Sequence, residues 1–242
     1  MVIEERHIGI AQKSVLRRRD RAVVSSAVPA FVITVSGPSG AGKSSTVRAV
    51  ADQLGTASCF YFDDYGEAMQ QPEDGLAWIA DGADFTAFVL PQFGQDVARL
   101  RQGETVTTPT GRIVEPAPFL VIEEPFGSGR TDMKGLVDFG VCIDVPMEVA
   151  LARRLLETSE RWSGTAEARL EWTTNYLKSY LYEGMREVYI AINERVREHS
   201  HLLLDGLQPV DQNAQRVVAS VRTKQNTSTY AASPQIDTSN RL

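Results

Sequence analysis

The feature that most constrains this chain is a glycine-rich loop at residues 37–44. It reads Gly37-Pro38-Ser39-Gly40-Ala41-Gly42-Lys43-Ser44 and fits G-x-x-x-x-G-K-[ST] without a mismatch. A β-branched apolar run, residues 31–35, precedes the loop, and a helical stretch, residues 45–54, follows it. A strand before this pattern and a helix after it predict a phosphate-binding loop, or P-loop.

The residue types of the loop suit the binding of a nucleoside triphosphate. Glycines let the backbone approach an anion closely, so that successive N–H groups and the N-terminus of the following helix can point at phosphates. Lys43 can reach the β- and γ-phosphates, and the Ser44 hydroxyl can ligate Mg²⁺. We therefore expect residues 37–45, Ser45 included, to bind ATP with Mg²⁺; the sequence leaves GTP open as the nucleotide.

The rest of the chain alternates short apolar runs with helical stretches. The predicted strands are residues 31–35, 58–62, 118–122, 141–143 and 201–204. This order is typical of βαβ units on a parallel sheet. Predicted helices cover residues 146–157, where Pro146 suits a first helical position, and residues 170–196, where apolar residues recur at helical spacing. Gly184 is tolerated inside the second of these and could mark a bend.

Two adjacent carboxylates follow the second predicted strand, and two more follow the third. They are Asp63-Asp64 and Glu123-Glu124. Ligands of an open parallel sheet bind outside the carboxyl ends of its strands, so a carboxylate here could take the proton of an attacking hydroxyl. We favour Asp63 as the base and expect Ser44, Glu123 and Asp63 near the metal. Loop or capping roles stay open, as does the choice within each pair.

Arginines follow the fourth predicted strand. Arg153 and Arg154 lie on the helix after it, and Arg161 and Arg169 lie in the polar segment beyond. Phosphoryl transfer spreads negative charge over oxygens, which arginines on a closing lid stabilise. Each of the four arginines could equally be a solvated surface charge, although we expect at least one of them to be catalytic.

Composition predicts the domain boundaries and argues against nucleic acid and membrane as partners. Residues 1–28 form a basic extension, residues 29–223 the main domain, and residues 224–242 a polar tail that we expect to be disordered. A net charge of −6 argues against nucleic acid as a partner. The absence of an apolar run of about 18 residues argues against a membrane span, so we expect a cytoplasmic protein. A homo-oligomer is compatible with the sequence.

Several stretches together resemble one family, the uridine kinase and phosphoribulokinase-like group of P-loop kinases. The matching stretches are residues 37–44, 62–65, 119–124, 138–146, 150–154 and 202–206. The resemblance implies an α/β fold, a P-loop NTPase-type three-layer sandwich with a five-stranded parallel sheet and a short lid near residues 153–169. It also implies that Asp63 is the acceptor's base and that Arg153 or Arg154, with Arg161, serves the lid.

These observations together predict an ATP- and Mg²⁺-dependent kinase. The expected acceptor is a hydroxyl of a small molecule, such as a nucleoside or a sugar-like metabolite. Aromatic residues between the second and third strands could line the acceptor site or belong to the core; they are Trp78, Phe85, Phe88 and Phe93. The alternative from a different class is a regulatory module that binds and slowly hydrolyses a nucleoside triphosphate without a small-molecule acceptor.

Overall fold

The computed structural model describes residues 28–232 and contains seven strands. In chain order they are β1 (Phe31–Ser36), β2 (Ala57–Tyr61), β3 (Val106–Thr107), β4 (Ile113–Val114), β5 (Phe119–Glu123), β6 (Phe139–Asp144) and β7 (Leu202–Asp205). Five of them form one parallel sheet in the order β2-β5-β1-β6-β7, while β3 and β4 pair as a separate antiparallel hairpin. The predicted five-stranded parallel sheet is confirmed.

Seven α-helices connect and cover these strands. They are α1 (Lys43–Leu54), α2 (Gly75–Ala80), α3 (Pro91–Arg101), α4 (Met147–Arg161), α5 (Ala166–Tyr182), α6 (Met185–His199) and α7 (Val210–Ala232). α1 ends, as predicted, at Gly55, which adopts a left-handed conformation and donates its N–H to the Ala51 carbonyl. This is a standard glycine helix end.

Helices cover both faces of the sheet and give it three layers. Val47 of α1 and Val217 of α7 lie in the apolar cluster on one face. Phe93 of α3 and Val196 of α6 lie in the cluster on the other face. The central strand β1 pairs with β5 on one side and β6 on the other. Both of its faces are buried beneath helices, which explains why its residues are mostly apolar and β-branched.

The aromatic residues between β2 and β5 form core rather than a surface. Trp78, Phe85, Phe88 and Phe93 are all buried in one cluster. Phe88 packs against Phe126 with ring centroids 4.5 Å apart. Of the two alternatives for these residues, the structure supports the core.

The predicted single helix over residues 170–196 is wrong, because the chain forms two helices there. Gly184 separates α5 from α6 with φ of 80°, a left-handed conformation that interrupts the helix. The positive φ favours glycine here. A Cβ at this position would lie 2.7 Å from Cγ of Leu76, an exposed side chain of α2 that would have to move to make room.

The C-terminal helix is longer than expected. α7 continues to Ala232 and so includes residues 224–232 of the predicted polar tail. Lys224 anchors this part of the helix by donating to the Asp138 carbonyl over 2.7 Å. Residues 233–242 of the predicted tail, and residues 1–27 of the predicted basic extension, lie outside the described residues.

Within residues 28–232, no helix combines the length and apolar character needed to cross a membrane. The cytoplasmic location, the domain boundaries, the exclusion of nucleic acid and the homo-oligomer stay predictions from the sequence.

Candidate active site

The P-loop wraps closely against helix α4. Gly37 and Gly40 have φ of 146° and 83°. A Cβ on Gly40 would lie only 2.0 Å from the carbonyl oxygen of Ala150, so no side chain fits there. Gly42 begins α1 without a side-chain cap, so the first-turn N–H groups remain directed at the loop. This cradle suits an anion.

The positive charge of Lys43 is only partly balanced by the neighbouring carboxylates. Its Nζ donates to the Pro38 carbonyl over 3.1 Å and lies 3.7 Å from Oε1 of Glu123. Burial lowers the pKa of Lys43, and the nearby carboxylates of Glu123 and Asp63 oppose that shift. A bound polyphosphate would stabilise the charged form of this amine further.

Glu123 faces the P-loop from the end of β5. Its Oε2 accepts a hydrogen bond from the Ser44 hydroxyl over 2.7 Å, and the residue is buried. Hydroxyl and carboxylate oxygens are the hard ligands that Mg²⁺ takes, together with water and substrate phosphates. The donor set of Ser44 and Glu123 therefore fits a P-loop magnesium site.

Glu124 points the other way, into the protein core. Its Oε2 lies 2.7 Å from Nη2 of Arg130, and both side chains are 0% exposed. The Phe126 N–H donates to its other oxygen, and Arg130 also pairs with Asp132 over 3.1 Å. Burial raises the pKa of Glu124, while Arg130 opposes the shift. Of the adjacent glutamates, only Glu123 reaches the P-loop.

The two adjacent aspartates after β2 also differ in their contacts. Asp64 accepts hydrogen bonds from Nε of Arg112 and from the Thr110 hydroxyl, each over 2.9 Å. Asp63 is exposed and has no hydrogen bond or ion pair with any residue in the range 28–232. Its carboxylate is therefore free to meet a ligand.

One cavity of about 310 Å³ brings the predicted functional residues together. Its lining includes residues expected from the sequence: Ser39, Gly40, Gly42, Lys43, Ser44, Ser45, Asp63, Glu123, Arg153, Arg154 and Arg161. Gly37, Pro38 and Ala41 shape the loop from behind without lining the cavity. Arg48 and Glu157 also line it, and sequence reasoning missed both, since neither falls in a motif.

The predicted arginines differ in their contacts. Arg153 donates to the Gly206 carbonyl over 2.9 Å, and Arg161 pairs with Glu157 over 3.0 Å while remaining 74% exposed. Arg154 has a buried Nε without a hydrogen-bond partner among the described residues. Arg169 lies outside the cavity lining and contacts Ser159. Arg154 is therefore the arginine best prepared to receive an anion.

The segment predicted as a lid, residues 153–169, consists of the second half of α4, a short connection and the start of α5. α4 ends at Arg161 and α5 begins at Ala166, so few residues connect them. Within the connection, Trp162 donates its indole N–H to the Thr165 carbonyl over 3.0 Å, and the Thr165 hydroxyl caps α5. Helix α4 carries Arg154 and Arg161 at the cavity. Closure of this segment over a bound ligand stays a prediction.

Sequence reasoning also missed the hairpin that holds Asp64. Strands β3 and β4 flank residues 108–112, which read Thr-Pro-Thr-Gly-Arg and contain Gly111 at φ of 85°. A proline and a glycine between short stretches rich in β-branched residues form a turn signal that could have predicted this hairpin.

Among residues 28–232, no group of three or more His, Cys, Asp or Glu side chains is arranged to hold a metal ion. A P-loop magnesium site needs no such group, because waters and phosphates supply most of its ligands.

Comparison with known proteins gives distant structural likeness alone. No protein-family model matches the chain, and no curated protein matches it. The chain is similar to a shikimate kinase from Acinetobacter baumannii in complex with shikimate, at 14% identity and a TM-score of 0.45, covering 81% of this chain and 95% of that one.

Two further solved structures show comparable likeness. A possible uridine kinase from Bacillus stearothermophilus has 15% identity and a TM-score of 0.44, with coverage of 75% of this chain and 92% of that chain. A gluconokinase from Sinorhizobium meliloti has 15% identity and a TM-score of 0.43, with coverage of 85% and 99%. With likeness this distant, function has to be argued from the site.

Proposed function

We propose that this chain is a kinase that transfers the γ-phosphoryl group of ATP, with Mg²⁺, to a hydroxyl of a small molecule. The observation that carries the proposal is the unpaired carboxylate of Asp63 in the same cavity as Lys43 and Ser44. A nucleotide switch or ATPase needs the P-loop, whereas a base beside the terminal phosphate serves an acceptor hydroxyl. The motifs resembling uridine kinase and phosphoribulokinase favour a nucleoside or sugar-like acceptor.

The P-loop residues would hold the nucleotide. Backbone N–H groups of the loop and of the first turn of α1 would contact the phosphates, and Lys43 would place its charge at the β- and γ-phosphates. Ser44 would ligate Mg²⁺, with Glu123 orienting the Ser44 hydroxyl and Asp63 as the third predicted residue near the metal. When bound, Mg²⁺ neutralises phosphate charge.

Asp63 would accept the proton of the acceptor hydroxyl as the hydroxyl oxygen bonds to the γ-phosphorus. The bond between the γ-phosphorus and the bridging oxygen to the β-phosphate breaks, and ADP leaves with that oxygen. The negative charge on the transferring oxygens would be stabilised by Lys43 and by Arg154, with Arg153 and Arg161 completing the basic side of the cavity.

A product screen tests this proposal. Purified protein is incubated with ATP, Mg²⁺ and a pooled library of nucleosides, sugars and related hydroxyl compounds, and products are identified by mass spectrometry. We expect one compound class to gain one phosphoryl group. Lys43→Ala, which removes the phosphate-binding cation, should give no product.

The screen also separates the proposal from the alternative. If the protein binds ATP and hydrolyses it slowly, while no compound in the library gains a phosphoryl group, the result argues for the regulatory nucleotide-binding module.

A further inference from the structure

We propose that Arg112 is a positioning residue for this site, which clamps the turn that carries Asp63 in the orientation that the reaction needs. The inference rests on the proposed function, because it concerns the residue assigned there as the base. Arg112 belongs to the hairpin formed by β3 and β4 and does not line the cavity itself.

Arg112 contacts the chain at three points around the turn. Its Nε and Nη2 both donate to Oδ2 of Asp64, the former over 2.9 Å. Its Nη1 donates to the Cys59 carbonyl over 3.1 Å. Its guanidinium lies 4.8 Å from the ring centroid of Tyr61. A planar guanidinium with fixed donors can hold several partners in one geometry, which lysine cannot do.

The hairpin is itself fixed to the edge of the sheet. β2 is an edge strand, with β5 as its only neighbour in the sheet. The Ser58 hydroxyl donates to the Glu115 carbonyl, and the Thr110 hydroxyl donates to the second carboxylate oxygen of Asp64. Arg112 and Thr108 bond to each other across the base of the turn. The clamp therefore ties the position of Asp64 to a hairpin that is itself held by hydrogen bonds.

The clamp controls Asp63 because both neighbours of Asp63 are held. The short 3₁₀ turn Phe62–Asp64 carries all three residues. Phe62 is buried against Phe93 and Phe126, at centroid distances of 6.0 and 6.1 Å. Asp64 is held by Arg112, so the backbone of Asp63 is fixed from both sides while its side chain stays free. A shift of about 1 Å in a reacting group costs about 100-fold in rate.

A double-mutant cycle with Asp63 tests the inference. We expect Arg112→Gln to lower kcat by about 10- to 100-fold at saturating ATP, with ATP affinity changed by less than about twofold. Arg112→Lys should recover only part of the loss. In the Asp63→Asn background, Arg112→Gln should cause no further loss, because a positioning residue has nothing left to position. An equal loss in both backgrounds, or no loss in the native background, would overturn the proposal.

Arg101→Gln is the matched control. Arg101 pairs with Asp138 over 2.9 Å, both side chains are about one-quarter exposed, and Arg101 also donates to the Leu136 carbonyl. It resembles Arg112 in its contacts but lies on α3, away from the turn. We expect Arg101→Gln to leave kcat unchanged even where it lowers stability.

Hydrogen exchange gives a readout that needs no acceptor. In Arg112→Gln, amides of residues 60–66 should exchange faster than in the native protein, while amides of α1 should be unchanged. If the native protein transfers no phosphoryl group to any acceptor, the proposed function fails and this comparison decides the clamp alone. Unchanged exchange in residues 60–66 would overturn the clamp whatever the activity.

Discussion

The ends of β2 and β5 offer a direct comparison, because each strand is followed or closed by two adjacent carboxylates. In each pair one carboxylate meets the cavity, and the other is neutralised by an arginine. Asp63 and Glu123 take the first role, and Asp64 and Glu124 the second. At the end of β5, successive side chains of an extended strand point in opposite directions. In the 3₁₀ turn Phe62–Asp64, which has about three residues per turn, neighbouring side chains also point in different directions.

The two arginines that neutralise the second carboxylates differ in their surroundings. Arg130 is fully buried and lies 5.3–5.9 Å from the ring centroids of Phe62, Phe93 and Phe126. Arg112 keeps 34% of its side chain exposed. The end of β5 is therefore held by the core, whereas the end of β2 is held by a surface hairpin. We infer that buried contacts hold the phosphate side of the site, whereas the partly exposed hairpin holds the acceptor side.

The largest expected effect concerns stability, in Glu124→Gln. Removing one partner of a buried ion pair costs about 3–5 kcal/mol. We expect about 3 kcal/mol, the lower end of that range, because Asp132 still contacts Arg130. Urea denaturation should show this loss, and Glu123→Gln should lose less, because the Lys43 amine lies 3.7 Å away, also donates to the Pro38 carbonyl and borders the cavity. Equal losses for the two glutamates would contradict the division of roles at β5.

A smaller effect is expected on magnesium dependence, in Glu123→Gln. Mutation of a group that orients a metal ligand typically lowers metal affinity by about 10- to 100-fold. Because Glu123 orients the Ser44 hydroxyl, the Mg²⁺ concentration for half-maximal activity should rise about tenfold. Glu157→Gln, which changes a cavity carboxylate that pairs with Arg161 instead, should leave this midpoint in place. An unchanged midpoint in Glu123→Gln would remove Glu123 from the metal site.

The smallest effect is expected at the amino end of the sheet, where ionisable groups should affect stability alone. His201 stacks on Phe139 and faces Lys224, and burial followed by the Lys224 charge lowers its pKa. The unfolded chain then binds protons more readily than the folded one as pH falls below about 6.5. The contribution of His201 to stability is thus present above that pH and is lost as pH decreases through the lowered folded-state pKa.

Urea midpoints at about pH 7.5 and about pH 5.5 measure this dependence. His201→Gln should make the difference between the two midpoints smaller, since glutamine does not titrate in this range. His199→Gln is the control, because His199 is exposed and its Nδ1 donates to the Arg195 carbonyl. If His201→Gln leaves the difference between the two urea midpoints unchanged, His201 is not a source of the pH dependence of stability.

The central sheet and the P-loop could be predicted because their signals are local. β1 is buried on both faces and reads as a continuous apolar run, and the loop motif fixes its own neighbours. The apolar spacing continues through Gly184, so the sequence favoured one long helix in which this glycine could mark a bend. Only the backbone shows the left-handed conformation that divides α5 from α6.

The choice within each carboxylate pair depended on partners that the local sequence does not show. Asp64 is held by Arg112, 48 residues away in the chain, across a hairpin that was not predicted. Glu124 pairs with Arg130, whose burial follows from the packing of Phe93 and other distant aromatics. The polar composition beyond residue 224 gives no sign of the contact between Lys224 and Asp138, which lie 86 residues apart in the chain.

The most direct test of the account compares Asp63→Asn with Asp64→Asn in phosphoryl transfer to the acceptor that the screen identifies. ATP binding is measured on the same preparations. The account predicts that Asp63→Asn loses about 10²- to 10⁴-fold in kcat with ATP affinity retained, while Asp64→Asn loses about tenfold or less. Nearly full turnover in Asp63→Asn, or a greater loss in Asp64→Asn, would contradict the assignment of Asp63 as the base.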